Sequence, residues 1–464
     1  MSRARRGETG DAFDDLRQRI RGTVLGPTDG GYDEARSVWN AMVDRRPGVV
    51  VQPTGAADVI RAVDYAREND LRLAVKGGGH HIAGHAVCDD GLVVDLSGMT
   101  AVRVDPEERT ARVSGGATMG DVDHETQAFG LATPGGVVST TGVGGLTLGG
   151  GFGWLSPKYG LAVDNLRSAD VVTAAGELVR ASETENQELF WALRGGSGNF
   201  GVVTSFEFDL HPVGPTVLFG PVVYRYADAA DALGNYREFV RGAPRECCVW
   251  VDSLTAPPLP FIAEEYHGTP VLSVVVCYAG DPDEGRDVVA PLREYGDPIA
   301  DAVGPTPYTA VQRTFDELYA TGLRNYWTSA NFTELTDGVV DAIVTLAERR
   351  PTPESDVLVH QVGGAITDVA PDATAYPHRD ARFVVSPGAR WSDPADDDRC
   401  LAWIRDCREA LAKESTGGTY VNFLAGDEKR GRVAYGDNYD RLREIKAEWD
   451  PENLFRTNQN VEPV

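Results

Sequence analysis

Pro134-Gly135-Gly136-Val137-Val138-Ser139-Thr140-Thr141-Gly142-Val143-Gly144-Gly145-Leu146-Thr147-Leu148-Gly149-Gly150-Gly151-Phe152-Gly153 is the stretch on which the fold turns. It holds nine glycines. Glycine weakens helix and strand alike, so no regular element is expected across it. Such backbone makes sense where it lies against a flat ligand at van der Waals distance. Upstream, a second glycine turn follows an apolar strand: Lys76-Gly77-Gly78-Gly79-His80-His81-Ile82-Ala83-Gly84-His85. Consecutive glycines let backbone N–H groups face an anion. No GxxxxGK[ST] is present, so this is not a nucleoside-triphosphate loop. For the three glycines alone, a plain structural turn accounts equally well; the two histidines that follow favour function.

Outward from these turns, the pattern predicts strands at 49–51, 71–75, 91–96 and 111–113. It predicts helices at 58–69 and 118–129, the second closed by Gly130. Residues 169–182 read as a hairpin turning at Ala175-Gly176. A helix at 185–193 and a strand at 202–210 follow. After Pro212 the composition shifts. Strands at 217–226, 271–278, 357–363 and 381–385 alternate with amphipathic helices at 228–241, 338–348 and 397–412. The expected fold class is α+β, in four segments: an N-terminal helical arm (1–44), a first domain (45–213), a second α+β domain (214–419) and an ordered tail (420–464).

The chain has 464 residues and a net charge of −26. Its size allows a large core without disulfides or a structural metal. The charge makes nucleic acid and anionic membrane poor partners. Only five of 44 basic residues are lysine, a composition that suits a high-salt cytoplasm or a GC-rich genome. Six cysteines without a CxxC pair form no disulfide framework or common zinc spacing. The N-terminus lacks an apolar core of a signal peptide, and no run of about 18 apolar residues exists. A cytoplasmic protein, monomer or homo-oligomer, is expected.

Several motifs fail on context. His81 and His85 stand four apart, but the surrounding glycines argue against a helix and no third ligand has recognisable spacing, so no metal is expected. Gly196-Ser197-Gly198-Asn199-Phe200-Gly201 matches GxGxxG, yet a helix precedes it and a strand follows, the reverse of a dinucleotide-binding unit. No GxSxG nucleophile elbow occurs. In Tyr420-Val421-Asn422-Phe423, strand alternation puts Tyr420 and Asn422 on one face. From spacing alone, a half-buried tyrosine and a surface asparagine account for it best.

Taken together, the motifs resemble one family. The segment 75–80 (VKGGGH) is similar to the RSGGH segment of FAD-linked oxidases of the vanillyl-alcohol oxidase superfamily, with its PCMH-type FAD-binding domain. The similar branch is that of berberine bridge enzyme and 6-hydroxy-D-nicotine oxidase. The second glycine run, 154–165 (WLSPKYGLAVDN), 188–203 (ELFWALRGGSGNFGVV), 420–422 (YVN) and 450–460 (DPENLFRTNQN) match that branch in order and spacing. The resemblance implies a two-subdomain FAD-binding domain and an α+β substrate domain whose antiparallel sheet covers the flavin.

It also implies roles. His80 aligns with the histidine bonded to the flavin 8α-methyl. Val138 stands where many members carry a cysteine bonded to flavin C6, so attachment is single. Lys76 replaces the usual arginine, conserving charge but not hydrogen-bond geometry. His81 replaces a serine or asparagine. Cofactor contacts are further implied for Gly77, Gly78, Gly79, Gly84, Pro134, Gly135, Gly136, Ser139, Gly142, Val143, Gly144, Gly149, Gly150 and Gly151. Tyr159, Gly160, Val163, Gly201, Val202, Val203, Asn422, Asn458 and Asn460 complete the set. Tyr420 is the expected base, with Tyr376 and Tyr326 in second rank.

The implied reaction is oxidation of a small molecule at a CH–OH or CH–NH group, with hydride passing to flavin N5 and O2 reoxidising the flavin to give hydrogen peroxide. A dehydrogenase using another acceptor is the alternative, Thr141 lying near where the family tunes oxygen access. A flavin- or sugar-binding protein without turnover, or a metal-dependent hydrolase using His81 and His85, is the reading from a different class.

Overall fold

A computed structural model describes residues 13–426 and 431–464; the first twelve residues of the expected arm lie outside these. Short apolar runs build a small sheet from β1 (Thr23–Leu25), β2 (Val49–Gln52), β3 (Leu73–Lys76) and β4 (Leu92–Asp95), in the order β1-β2-β4-β3. β2 and β3 both run parallel to β4. Parallel strands need a crossover, and helix Ala56–Glu68 lies between β2 and β3 in the chain. Its Val59, Ala62, Val63 and Ala66 are buried in the same core as Val49, Val51 and Leu92. The first glycine turn therefore leaves the carboxyl end of β3, where ligand crevices form in parallel sheets.

A second, antiparallel sheet joins β5 (Val102–Asp105), β6 (Thr110–Ser114), β8 (Leu166–Val172), β9 (Leu178–Ser182) and β10 (Val202–Asp209) in the order β5-β6-β10-β8-β9. A two-residue strand, β7 (Leu131–Ala132), pairs with β11 (His211–Pro212).

The largest sheet has nine strands: β12 (Thr216–Arg225), β13 (Cys247–Thr255), β14 (Pro270–Tyr278), β15 (Ala300–Asp301), β16 (Gly304–Pro307), β17 (Arg324–Trp327), β18 (Ala330–Phe332), β19 (Asp356–Gln361) and β20 (Phe383–Trp391). The order is β15-β12-β14-β13-β19-β20-β17, with β16 on β12 and β18 on β20. Period-two alternation sorts its side chains. Val249, Val251, Val357 and Val359 pack with helices Ala229–Gly242, Asp337–Glu348 and Asp397–Leu411. Cys248, Trp250 and Leu358 point the other way, into a core shared with Phe152, Trp154 and Tyr420. The sheet thus carries helices on one face and the glycine-rich segment on the other.

Four expectations need correction. The arm is not purely helical: β1 pairs with β2 and adds a strand to the first sheet. Regular structure does occur in the nine-glycine stretch, as helix Val143–Leu148. Its Val143, Gly144, Thr147 and Leu148 are buried, and Gly144 sits so close to the Gly115 carbonyl that a Cβ would lie 3.1 Å from it. Packing there outweighs a propensity cost of about 1 kcal/mol per glycine. Residues 420–423 form no strand; Val421–Phe423 is a 3-10 turn. Finally, β13 and helix Pro282–Arg293 were not foreseen. β13 buries both faces, which erases the alternation that marks a strand.

Candidate active site

The two glycine segments meet. A Cβ on Gly78 would lie 2.3 Å from the Gly142 nitrogen, and one on Gly142 would lie 2.2 Å from the Gly78 nitrogen. Only backbone without side chains packs this closely. Between this contact and the nine-stranded sheet runs a cavity with about 290 Å³ of room for the centres of water molecules. Gly77, Gly78, Gly79, His80, His81, Gly136, Val138, Thr141, Gly142, Tyr420, Asn422 and Asn458 line it.

His80 is held on two sides. Its ring stacks on Trp39 at 5.4 Å, and its Nε2 lies 2.9 Å from Thr140 Oγ1. Burial lowers its pKa to about 4, with Asp316 opposing the shift. The imidazole is therefore neutral at pH 7. Asp316, between β16 and β17 in the chain, also accepts from Ser139 N at 2.8 Å and Ser139 Oγ at 2.5 Å. Val138 Cγ atoms offer no nucleophile at the neighbouring position.

Tyr420 is buried, with its oxygen accepting from Gly151 N at 3.0 Å and Asn422 Nδ2 at 2.9 Å. Burial pushes the phenol up to about 12, and these two donors oppose the shift. The glycines shape this site directly. Gly151 has φ +77, open to glycine and strained for other residues. A Cβ on Gly149 would lie 2.1 Å from Asn422 Oδ1. The side chains expected on one strand face do converge, through the 3-10 turn instead.

Other expected site residues lie outside the cavity. Tyr326 faces the wrong way: it packs with the helix-side core, while its neighbour Trp327 lines the cavity. Tyr376 is buried 6.3 Å from the Tyr420 ring, beneath Gly150, where it supports the tyrosine rather than lining the cavity. Lys76 donates to the Ala35 carbonyl at 2.8 Å and lies 3.4 Å from Asp95. Gly84, Gly135, Gly150, Gly151, Gly160 and Gly201 allow close protein packing, each with an atom within 3 Å of a notional Cβ. Pro134 and Ser139 are buried off the cavity, as are Val143, Gly144 and Gly149 on or beside the short helix. Val163, Val202 and Val203 are core residues, and Tyr159 stacks on His211 at 3.9 Å. Asn460 is not a wall residue, and Asn458 donates to the carbonyls of Gly198 at 2.9 Å and Phe455 at 3.1 Å.

The far wall escaped sequence reading. Asp356, Leu358 and His360 of β19, and Ser386, Gly388 and Arg390 of β20, all face the cavity. Trp39, Trp250, Trp327, Phe152, Phe315 and Phe423 add an aromatic lining. A usable signal was present: Asp356 and His360 are polar residues at even spacing that flank the apolar run Val357-Leu358-Val359.

Residues 47–182 match the FAD binding domain family, and residues 419–462 match the berberine and berberine-like family. An FAD-linked oxidoreductase of Dictyostelium discoideum is 31% identical over 92% of this chain and 91% of its own. The (R)-6-hydroxynicotine oxidase of Paenarthrobacter nicotinovorans is 32% identical over 96% of this chain and 97% of its own. The chain belongs to the berberine-like FAD-linked oxidoreductases. The fold agrees: the crystal structure of 6-hydroxy-D-nicotine oxidase from Arthrobacter nicotinovorans superposes with a TM-score of 0.87 at 30% identity, covering 96% of this chain and 98% of that one.

The cavity of this FAD-linked oxidoreductase suits the cofactor. Gly145 and Gly198 line it with open space where a Cβ would stand. Thr457 Oγ1 and Asn458 Oδ1, on cavity-lining residues, are buried without a partner among the described residues. The Gly77–Gly79 backbone offers donors for a diphosphate. Among the described residues, no group of three or more His, Cys, Asp or Glu is placed to hold a metal ion. No helix among them is long and apolar enough to cross a membrane.

Proposed function

We propose that this FAD-linked oxidoreductase is an oxidase of a small molecule bearing a CH–OH or CH–NH group, with FAD attached through His80 alone. Bound FAD supplies the two-electron acceptor, and O2 then reoxidises it with release of hydrogen peroxide. The observation that carries the reading is the convergence of a neutral His80, the paired glycine segments and the Tyr420–Asn422 couple on one cavity. An uncharged imidazole is nucleophilic. Trp39 and Thr140 fix its ring, so little ordering remains before attachment. Val138 leaves no second thiol attachment at the usual position.

The protein's own part is positioning and proton handling. The Gly77–Gly79 turn would hold the diphosphate, and Asn458 orders the Gly198 turn beside the tail. Tyr420 would take the substrate O–H or N–H proton. Gly151 N and Asn422 Nδ2 already point at its oxygen, where charge would develop. Phe152 and Phe423 flank the Tyr420 ring at 4.7 and 4.9 Å.

Acid-precipitated protein should stay yellow, and His80→Ala should release its colour into the supernatant. Colour lost from the unmodified protein would disprove the covalent link. Oxygen uptake during turnover, with peroxide formed in equal amount, separates an oxidase from a dehydrogenase using another acceptor.

A further inference from the structure

Arg390 is 1% exposed and lines the cavity. Only its Nη2 has a side-chain partner, Asp356 Oδ2. Nε and Nη1 have none among the described residues. A buried guanidinium left with free N–H groups is costly, about 1–3 kcal/mol for each unmet group. Gly388 stands beside it. A Cβ there would lie 3.5 Å from Arg390 Nη1 and 2.8 Å from Asp356 Oδ1. Residue 388 therefore puts no side chain against Nη1, which is itself buried, and the Tyr319 ring lies over the guanidinium at 4.5 Å.

Arg390 belongs to a buried cluster of two guanidinium and two carboxyl groups. Asp252 is 2% exposed, and neither of its oxygens has a partner among the described residues. Burial, reinforced by Asp356, raises its pKa well above the ordinary value and favours the neutral form. Burial raises the pKa of Asp356 too, opposed by Arg390 and Tyr319 (at 3.4 Å), which both donate to one of its oxygens. Arg350 is the second cation of the cluster, and its Nη1 donates to the Ser253 carbonyl at 3.1 Å. Burial thus disfavours charge on both carboxyls beside the two guanidinium groups, and Arg390 Nε and Nη1 stay without an acceptor among the described residues. Unmet donors on a buried guanidinium call for an anionic acceptor.

His360 marks the opposite end of the same strand face. It is 5% exposed, and neither ring nitrogen has a partner among the described residues. Phe152 touches both His360 (ring centroids 5.4 Å) and Tyr420 (4.7 Å), which places His360 at the tyrosine end. Asp356 lies four residues away on β19, about 13 Å at ~3.3 Å per residue. Trp250 (4.5 Å from His360) and Phe423 (4.9 Å from Tyr420) lie at that end, and Trp327, opposite Gly388 in the sheet, lies 5.8 Å from Phe423.

Resting on the oxidoreductase reading above, we propose that the substrate is an elongated aromatic or fused-ring carboxylate. Its carboxylate binds Arg390 Nη1, its rings lie among the tryptophans, and its oxidisable group reaches Tyr420. A neutral sugar offers these guanidinium donors no charge-matched acceptor.

The test uses the purified yellow holoprotein with 2-naphthoate, the isosteric neutral 2-naphthamide, and cellobiose. Binding is read by calorimetry and by quenching of tryptophan fluorescence, so no turnover is needed. The expected result is at least tenfold tighter binding of naphthoate than of naphthamide, with cellobiose weaker than both. Arg390→Met should abolish that preference. Because this leaves Asp356 buried and unpaired, the charge-neutral double variant Arg390→Met/Asp356→Asn is measured beside it, and its visible spectrum reports flavin retention. Equal binding of the two naphthyl probes, preference for cellobiose, no naphthoate binding, or a preference that survives in a folded yellow variant overturns the anion site. A colourless unmodified protein overturns the flavin reading itself.

Discussion

Two N–H groups aimed at one phenol oxygen define the chemistry of Tyr420. They favour the phenolate, while burial disfavours it more, so the pKa stands near about 12. The tyrosine is protonated at neutral pH. A base must be deprotonated to act, so raising the pH raises the active fraction. The rate of substrate oxidation should climb from pH 7 to beyond pH 9. Tyr420→Phe should flatten that rise and lower the rate about 10²–10⁴-fold. Stopped-flow measurement of flavin bleaching without oxygen checks both. His360 gives a second residue-scale prediction. Its pKa falls to about 3 through burial, against about 6.5 when unfolded. Between these values the unfolded chain binds the extra proton, so acid costs the folded state stability. Relative to His360→Phe, the unmodified protein should lose about 2 kcal/mol between pH 7 and pH 5, read from urea unfolding.

At the scale of elements, the tail is held by one buried cation. Lys446, in helix Tyr439–Trp449, donates to Asp450 Oδ2 at 2.6 Å and to the carbonyls of Asn199 at 2.7 Å and Phe455 at 2.9 Å. These bonds join the tail to the turn that follows helix Gln187–Leu193. Lys446→Met would leave a buried carboxylate and two carbonyls short of a donor. A loss of about 3 kcal/mol is expected in denaturant unfolding, with weaker flavin retention in the same samples. Elements also show where sequence reading worked. The strand–turn at Leu73 to Gly79 and helix Ala56–Glu68 were legible because local periodicity and glycine chemistry agree. Helix Val143–Leu148 was hidden, because its glycines oppose helix and only burial against the Gly115 carbonyl secures it.

Across the whole molecule, the arm joins the two halves. Asn40 donates to the carbonyls of Ile82 and Asn325 and accepts from Asn325 N, linking the first glycine turn to β17. Trp39 beside it stacks on His80 and donates to the Tyr319 carbonyl at 2.7 Å. The net charge of −26 works against this compactness through self-repulsion. At 0.1 M salt, exposed charges more than about 10 Å apart are largely screened from one another. The melting temperature should therefore rise by a few degrees between 0.05 and 1 M sodium chloride, seen by calorimetry. A flat or falling curve would mean that the surface ion pairs, many of them Arg–Asp, already offset the excess acid.

The sequence by itself determined the local chemistry: two glycine segments, the histidine after the first, and the Tyr420–Asn422 pair. Each is written in a few adjacent residues, so the family and the α+β class could be read without coordinates. Tertiary structure decided which of these side chains share a space. It turned Tyr326 away and Trp327 inward, used most glycines to admit neighbouring protein atoms, and brought Arg390, Asp356 and His360 to the cavity. Those choices depend on strand register and close packing between residues far apart in the chain, where a shift of one position reverses every side chain's face.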